Sequence, residues 1–155
     1  MSCLLDTSFL VRLANRDDAL HSQAVAALTE LLRRNEMLVI TAQNLVEFWS
    51  VATRPVGSTN GLGLSAVQTA EIIDVFGREF FLAPETPDVF PTLRKLLDSV
   101  EVIGKQVHDA RLVAVCFSQG ISSLVTFNPR HLSRFAAIPP GLNIIEPAFL
   151  IAKQR

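Results

Sequence analysis

The sequence predicts an α/β fold in which a central, mostly parallel sheet of four to five strands carries helices on both faces. Short apolar runs of strand length, such as residues 37–40, alternate along the chain with longer stretches of helical length. The opening run Cys3-Leu4-Leu5 has no polar residue, which is typical of a strand buried between two layers of helices. Strands that alternate with helices favour parallel pairing and a three-layer arrangement.

Composition is that of a compact protein. The chain has 155 residues, and we expect one domain, residues 1–155, large enough to bury a substantial core. Hydrophobic residues make up 49% and charged residues 19%, which excludes a disordered chain. The net charge is -1, from 14 basic and 15 acidic residues. This balance argues against a protein that binds nucleic acid over its whole surface, so any such contact must come from a local basic patch.

The two cysteines and the first residues of the sequence favour one cellular compartment for the protein. Cys3 and Cys116 are isolated in apolar surroundings, so we expect buried, reduced thiols and no metal site built on cysteine. Asp6 follows Met1 closely without a basic segment, which is unlike a signal peptide. No apolar run approaches the roughly 18 residues of a membrane span. We therefore expect a cytoplasmic protein without a membrane partner.

Apolar spacing and helix-ending residues place the elements in order. Thr41 is expected to cap the helix that follows it, and Pro55 to end that helix. Residues 56–63, with three glycines, are expected to form a loop, and Gly120 to end a later helix. The predicted elements are strand 3–5, helices 9–15 and 22–34, strand 37–40, helices 42–54 and 65–76, strand 79–82, helices 88–100 and 107–119, strand 121–125, the short segment 130–135 and the edge strand 142–145.

Asp6 ends the first strand and stands immediately before a helix. Ligands of open parallel sheets bind at the edge where the strands end, which favours a functional carboxylate. Asp is also a preferred N-cap residue, and one side chain can do both. The hydroxyls of Thr7 and Ser8 could hold the carboxylate or a water, or could cap the helix. This stretch alone leaves both interpretations open.

Asp109 is the most informative acidic residue. On a helical wheel it shares a face with Leu112 and Cys116, opposite Arg111, so its carboxylate points onto the apolar face of the first turn. A buried carboxylate needs a cation, hydrogen bonds or a water-filled cleft. The helix dipole explains an acidic residue in a first turn but not its inward direction. We therefore favour a functional role for Asp109.

Two further polar positions follow predicted strands. Glu47 shares a helix face with Gln43 and Asn44, opposite Trp49, which is typical of a solvated face. That helix nevertheless begins directly after a strand, near the same edge as Asp6 if the strands are parallel. Asn128 precedes a proline, as turn residues do. Because Thr126 and Asn128 alternate along the chain, both side chains could face one cleft.

Carboxylates that converge at one sheet edge repel each other unless a cation shares them. A site made of oxygen atoms suits Mg²⁺ or Mn²⁺, which accept phosphate oxygens as additional ligands. Such a cation can activate water and stabilise the charge that develops on a phosphodiester. The histidines have no zinc-type spacing, and we assign none of them as a ligand; they are His21, His108 and His131.

Four motifs resemble, in order, those of PIN-domain ribonucleases, and above all the VapC-type toxins of bacterial toxin–antitoxin pairs. They are Leu4-Leu5-Asp6-Thr7-Ser8, the Glu47 helix, residues 108–114 and residues 124–132. The resemblance implies a PIN-like three-layer fold and RNA cleavage that depends on Mg²⁺ or Mn²⁺ held by Asp6, Glu47 and Asp109. It also implies an antitoxin that blocks the site. Asn128 matches a fourth acidic or amide position of such families, and its neutrality argues against tight binding of a second metal.

Three functions remain open from the sequence. The first is a metal-dependent endoribonuclease toxin, supported at its site by Thr7, Ser8 and Thr126. The second is a phosphoryl-transfer enzyme with Asp6 as nucleophile. The haloacid-dehalogenase-like sequence pattern of such enzymes, however, has a second Asp at the position that Ser8 occupies here. The third is a non-catalytic RNA- or protein-binding module. Candidate phosphate contacts are Arg12, Arg130 and Arg134, with Arg111 the weakest; the helix from Ser65 and residues 149–152 are candidate surfaces for a homodimer.

Overall fold

The structure is a computed structural model that describes residues 1–152, in which five strands alternate with eight helices. The strands are β1 (Ser2–Leu5), β2 (Met37–Ile40), β3 (Phe81–Leu82), β4 (Ser123–Val125) and β5 (Asn143–Ile145). The helices are α1 (Thr7–Ala14), α2 (His21–Arg33), α3 (Ala42–Ala52), α4 (Ala66–Glu79), α5 (Val89–Ser99), α6 (Gln106–Ser118), α7 (Pro129–Ala136) and α8 (Pro147–Ala152). None of these helices is both long enough and apolar enough to cross a membrane.

The five strands form one parallel sheet in the order β3-β2-β1-β4-β5. The first strand of the chain is therefore the central one, with Leu4 opposite Val39 on one side and Leu124 on the other. All strands end at the same edge because all run in the same direction. The predicted α/β fold with a parallel sheet is confirmed, and β5 is the predicted edge strand.

Alternate side chains of β1 enter two different cores. Leu4 packs in the cluster formed with α5, α6 and α7, whereas Cys3 and Leu5 pack in the cluster on the other face, formed with α1, α2, α3, α4 and α8. Burial on both faces explains why the opening run is apolar without interruption. The structure thus has the three layers that the sequence predicts.

Both cysteines are free and buried, as predicted. Burial raises the pKa of the Cys3 thiol to about 12, and burial also raises the pKa of Cys116. Both thiols therefore stay protonated and unreactive near neutral pH.

Helix boundaries differ from the predicted ones where local signals were weak. Thr41 caps α3, as predicted, through a hydrogen bond from Asn44 N. In contrast, α1 begins at Thr7, two residues before the predicted start, with only Asp6 between it and β1. Helix α4 continues past residue 76 to Glu79, since Gly77 keeps helical conformation and Phe80 is the C-cap residue. The strand predicted at 79–82 is correspondingly shortened to β3.

Candidate active site

Polar residues follow three neighbouring strands where the parallel sheet ends. Asp6 follows β1, Thr41 follows β2 and Thr126 follows β4. The backbone continues the sheet ladder slightly beyond β1, because Asp6 N donates to Val125 O at 3.0 Å. Sheet order and strand direction therefore place residues that are distant in sequence at one edge.

Asp6 is held by two oriented hydroxyls. Its Oδ2 accepts hydrogen bonds from Ser8 Oγ at 2.6 Å and from Thr126 Oγ1 at 2.7 Å. Each hydroxyl in turn accepts a backbone N–H, from Phe127 at 3.1 Å and from Asn128 at 2.9 Å. The two hydroxyls also lie 3.2 Å from each other, but their contacts with Oδ2 are shorter, which favours both protons being directed at the carboxylate. Within residues 1–152, Oδ1 of Asp6 has no hydrogen-bond partner.

The side chain of Asp6 does not cap α1, although the residue occupies the N-cap position. Its backbone carbonyl accepts from Phe9 N and Leu10 N at the start of the helix. The capping interpretation of the carboxylate is therefore wrong. Its oxygen binds the two hydroxyls instead of the free N–H groups of the first turn.

Glu47 is held on both carboxylate oxygens. Thr7 Oγ1 donates to Oε2 at 2.7 Å, and Gln43 Nε2 donates to Oε1 at 2.8 Å. The Thr7 hydroxyl accepts from Asn44 Nδ2 at 3.1 Å, which directs its proton to Glu47. Asn44 also accepts from Thr41 N and Thr41 Oγ1, both at 2.8 Å. The start of α3 and the start of α1 thus position one carboxylate together.

The solvated-face interpretation of α3 is wrong for Asn44, which is fully buried. Conversely, Trp49 and Val46 are 41% and 70% exposed. The polar face at the start of α3 turns inward because Thr7 and Thr41 satisfy the hydrogen-bonding groups of Asn44 there. A polar helix face can therefore pack against the sheet edge instead of facing solvent.

A chain of side chains links α3 to the start of α6. Gln43 Nε2 donates to His108 O at 2.8 Å as well as to Glu47, and Gln43 Oε1 accepts from Arg111 Nη1 at 2.9 Å. Arg111 also donates to Glu85 Oε2 at 2.7 Å. The guanidinium fixes the orientation of the Gln43 amide, since only its oxygen can accept.

Sequence reasoning missed the positioning roles of Gln43 and Asn44, and it ranked Arg111 only as the weakest RNA contact. One signal was present, because Gln43 and Glu47 are four residues apart and so neighbours on a helix. Arg111 contacts Gln43, which is 68 residues away in sequence. Local periodicity cannot reveal a partner at that separation.

Asp109 lies in the first turn of α6, and its side chain is 31% exposed. Burial raises the pKa of Asp109, and the negative charges of Asp6 and Glu47 raise it further. His131 and Arg134 act in the opposite direction, with His131 Nδ1 3.9 Å from Asp109 Oδ2. Among the described residues, no group donates a hydrogen bond to this carboxylate.

The remaining predicted residues lie around this edge. Asn128 is exposed at the N-cap position of α7, and its side chain makes no cap bond. Arg130 and Arg134 are exposed on α7, where Arg134 Nη1 donates to Gln106 Oε1 at 2.9 Å. Arg12 is half-buried on α1.

The charge and the donor atoms of the acidic residues fit a hard divalent cation such as Mg²⁺ or Mn²⁺. Neutralisation by a cation would remove the repulsion that raises the pKa of Asp109. As the side chains stand in residues 1–152, no three His, Cys, Asp or Glu are grouped closely enough to hold a metal ion. Asp6 and Glu47 bind their own hydroxyl and amide partners in this arrangement, and these bonds leave Oδ1 of Asp6 without a hydrogen bond within residues 1–152.

The raised pKa of Asp109 predicts that the metal-free protein loses stability as the pH rises. Protonated Asp109 stabilises the fold below its unfolded-state pKa near 3.8, and this contribution is lost as pH rises through the higher folded-state pKa. Asp109→Asn should therefore melt above wild type at about pH 7, and the difference should vanish near pH 3. Thermal melts in chelator across this range measure it. A difference that does not change with pH would contradict the electrostatic cause.

The sequence and the fold of this chain are both similar to those of known proteins. A family model described as PIN domain matches residues 3–138, whereas no curated protein sequence matches the chain. The structure is similar to VapBC-1 from nontypeable Haemophilus influenzae, with 16% identity, TM-score 0.69 and coverage of 96% of this chain and 99% of that one. It is also similar to VapC20 from Mycobacterium tuberculosis, described as a sarcin-ricin loop cleaving toxin, with 19% identity, TM-score 0.63 and coverage of 85% and 94%. VapBC2 from Rickettsia felis matches with 19% identity, TM-score 0.66 and coverage of 94% and 98%. At these identities, the likeness to solved structures concerns the fold.

Proposed function

Because the chain belongs to the PIN domain family, we propose that it is a metal-dependent endoribonuclease and the toxin of a toxin–antitoxin pair. The observation that carries this proposal is the proximity of Asp6 and Glu47 to Asp109 at one sheet edge. Asp6 and Glu47 both raise the pKa of Asp109, although the three residues come from distant parts of the chain. Such a concentration of negative charge suits a divalent cation that binds a phosphodiester.

Each polar residue has a defined task in this proposal. Asp6 and Asp109 hold Mg²⁺ or Mn²⁺, and Glu47 completes the oxygen ligands or orients the attacking water. When bound, the cation supplies an activated water and stabilises the charge that develops on the phosphodiester. Thr7 fixes Glu47, while Ser8 and Thr126 fix Asp6, through the hydrogen bonds described above.

Basic residues beside the carboxylates provide candidate phosphate contacts. Arg130 and Arg134 are exposed on α7, which begins directly after Asn128. Arg134 is near enough to lower the pKa of Asp109. Because the net charge of the protein is -1, a local set of arginines is the means by which it can hold RNA next to an acidic site.

The proposed partners have structural support of different kinds. An apolar cavity of about 390 Å³ between α1, α2 and α4, lined in part by Leu13, Leu32 and Phe76, suits the apolar face of an antitoxin helix. Exposed Val46 and Trp49 on α3 suit a homodimer. Reduced, buried cysteines suit the cytoplasm.

Removal of the metal is the direct test. Incubation with a mixed RNA pool should give cleavage with added Mg²⁺ or Mn²⁺ and none in excess chelator, because the oxygen-only donor set holds such ions reversibly. Gel analysis of the RNA measures both reactions. Undiminished cleavage in chelator would refute metal dependence. Phosphate release from small phosphoesters, without RNA cleavage, would point instead to Asp6 as a nucleophile.

Asn128→Asp should change metal affinity or preference more than it changes stability. The substitution adds a fourth carboxylate near the proposed cation, while the exposed turn tolerates either residue. Titration of cleavage with Mg²⁺ and Mn²⁺, beside a thermal melt, measures the two effects. An unchanged titration with a large fall in melting temperature would show that Asn128 has a structural role only.

A further inference from the structure

A cavity of about 330 Å³ lies beside the candidate active site. Thr7, Ser8 and Asn128 line it next to Asp6, and the end of α1 and the loop after α3 line the rest. Its volume is at the lower end of the roughly 300–1,000 Å³ typical of small-molecule sites. None of the roles assigned above to the acidic residues requires this space.

Arg12 brings an unneutralised positive charge to this cavity. Its guanidinium lies 4.8 Å above the centre of the Phe127 ring, and Nη1 donates to Ser8 O at 3.0 Å. The Nε group is buried without a hydrogen-bond partner. Across residues 1–152, Arg12 forms no salt bridge. Nη2 makes no hydrogen bond within the same residues, and a half-buried guanidinium with a free Nη2 favours an anion such as phosphate as its partner.

The rest of the lining is suited to more than a phosphate ion. Val51 and Leu62 provide apolar surface, and Asn15, Asn60 and Asp18 are polar residues of the lining. Apolar surface suits the face of a nucleobase, while amide and carboxylate groups can form hydrogen bonds with its edge. An inorganic anion would use neither feature.

The loop wall of the cavity is folded back onto α3. Leu62 N donates to Val51 O at 3.3 Å, and Gly63 N donates to Arg54 O at 2.7 Å. A side chain at Gly61 would place its Cβ only 2.3 Å from Pro55 O, so the close approach of the two backbone segments requires glycine. Asn60, with φ of 59°, takes the left-handed conformation that Asn tolerates. The wall is therefore preformed, which lowers the entropic cost of binding.

We propose that this cavity is a subsite for one nucleotide of the RNA, next to the phosphodiester that is cleaved. Arg12 binds the phosphate of that nucleotide, and the amides of Asn15 and Asn60 contact its base. Ser8 couples the two regions, since its carbonyl binds Arg12 and its hydroxyl binds Asp6. The inference rests on the proposed function, because the subsite positions RNA for the carboxylates.

Binding of fragments tests the subsite without any cleavage. Calorimetry in chelator should show that nucleoside monophosphates bind more tightly than inorganic phosphate or free nucleosides. Arg12→Met retains much of the apolar stem but should weaken nucleotide binding by roughly 10- to 100-fold. Asn60→Gly, which keeps the backbone conformation accessible, should weaken binding of the nucleotide but not of phosphate. Arg16→Met is the matched control, because Arg16 is exposed outside this cavity, and it should change neither.

Kinetics with a short single-stranded RNA separate this inference from the proposed function. Arg12→Met should raise KM and make the slope of log affinity against log salt shallower by about 0.7. Asp6→Asn should lose cleavage and keep nucleotide binding. Wild type that binds nucleotides but never cleaves RNA would refute the proposed function alone. Phosphate that binds as tightly as nucleotides would overturn the subsite, as would equal effects of Arg12→Met and Arg16→Met. If Arg12→Met fails to fold, unchanged nucleotide affinity in Asn60→Gly would overturn it too.

Discussion

Asp6→Asn is expected to abolish RNA cleavage and to leave the metal-free protein as stable as wild type or slightly more so. The Asn side chain can keep its carbonyl oxygen where Ser8 and Thr126 donate, so the local hydrogen bonds survive. The lost charge removes part of the repulsion that raises the pKa of Asp109. Activity and apo stability should therefore change independently.

Added Mg²⁺ should distinguish the two proteins further. At a hundred times its dissociation constant, the cation should stabilise wild type by about 2.7 kcal/mol, or roughly 5–10 °C in melting temperature. Asp6→Asn should lose most of this gain. Thermal melts across a Mg²⁺ series at constant ionic strength measure it, and Asp17→Asn, at an exposed position, is the matched control. Curves that rise in parallel for Asp6→Asn and wild type, with activity retained, would refute the metal role of Asp6.

Asn44→Ala should cost about 2–4 kcal/mol of stability, because it leaves buried groups without partners. Thr41 N and the Thr7 hydroxyl both lose a partner in the fully buried surroundings of Asn44. The Thr7 proton is then no longer directed at Glu47, so the Mg²⁺ needed for half-maximal cleavage should also rise. Urea unfolding and metal titration measure the two effects.

Thr41 and Asn44 form a capping box at the start of α3. A second capping box, at the start of α4, gives the control for this prediction. Ser65 and Gln68 exchange the same pair of hydrogen bonds at the start of α4, but both residues are exposed. Gln68→Ala should therefore cost only about 1 kcal/mol or less. Equal losses at the two positions would show that the capping geometry, and not burial and the contact with Thr7, determines the stability at Asn44.

The layers and strands of the fold follow from local patterns, which is why the sequence predicts them well. The uninterrupted apolar run Leu4-Leu5 by itself predicts a strand that is buried on both faces. Thr41 by itself predicts the start of the helix that follows it. The direction of Asp109 also follows from the spacing of its own helix. Each of these features depends on neighbours within a few residues, and periodicity reports such neighbours directly.

Features of the site that escaped prediction depend on partners far away in sequence. Asn44 is buried because Thr7, 37 residues earlier, accepts its amide proton. The same limit applies to the carboxylate of Asp6, whose partner Thr126 is 120 residues away. Local sequence left both a cap and a functional role open for Asp6, and Thr126 was expected to support the site, but the hydrogen bond between the two side chains could not be predicted. Resemblance to a family indicated which residues are candidates for the site, and only the three-dimensional arrangement shows how they are held.

The central position of β1 has a consequence for synthesis. The strand pairs with β4, whose residues are made more than a hundred positions later, as the partners Leu5 and Val125 illustrate. While the ribosome is still adding that part of the chain, the strand that precedes Asp6 lacks one of its two neighbours. Domains fold as units once their chain has emerged. Asp6 and the hydroxyl of Thr126 that holds it can therefore come together only after β4 has been made.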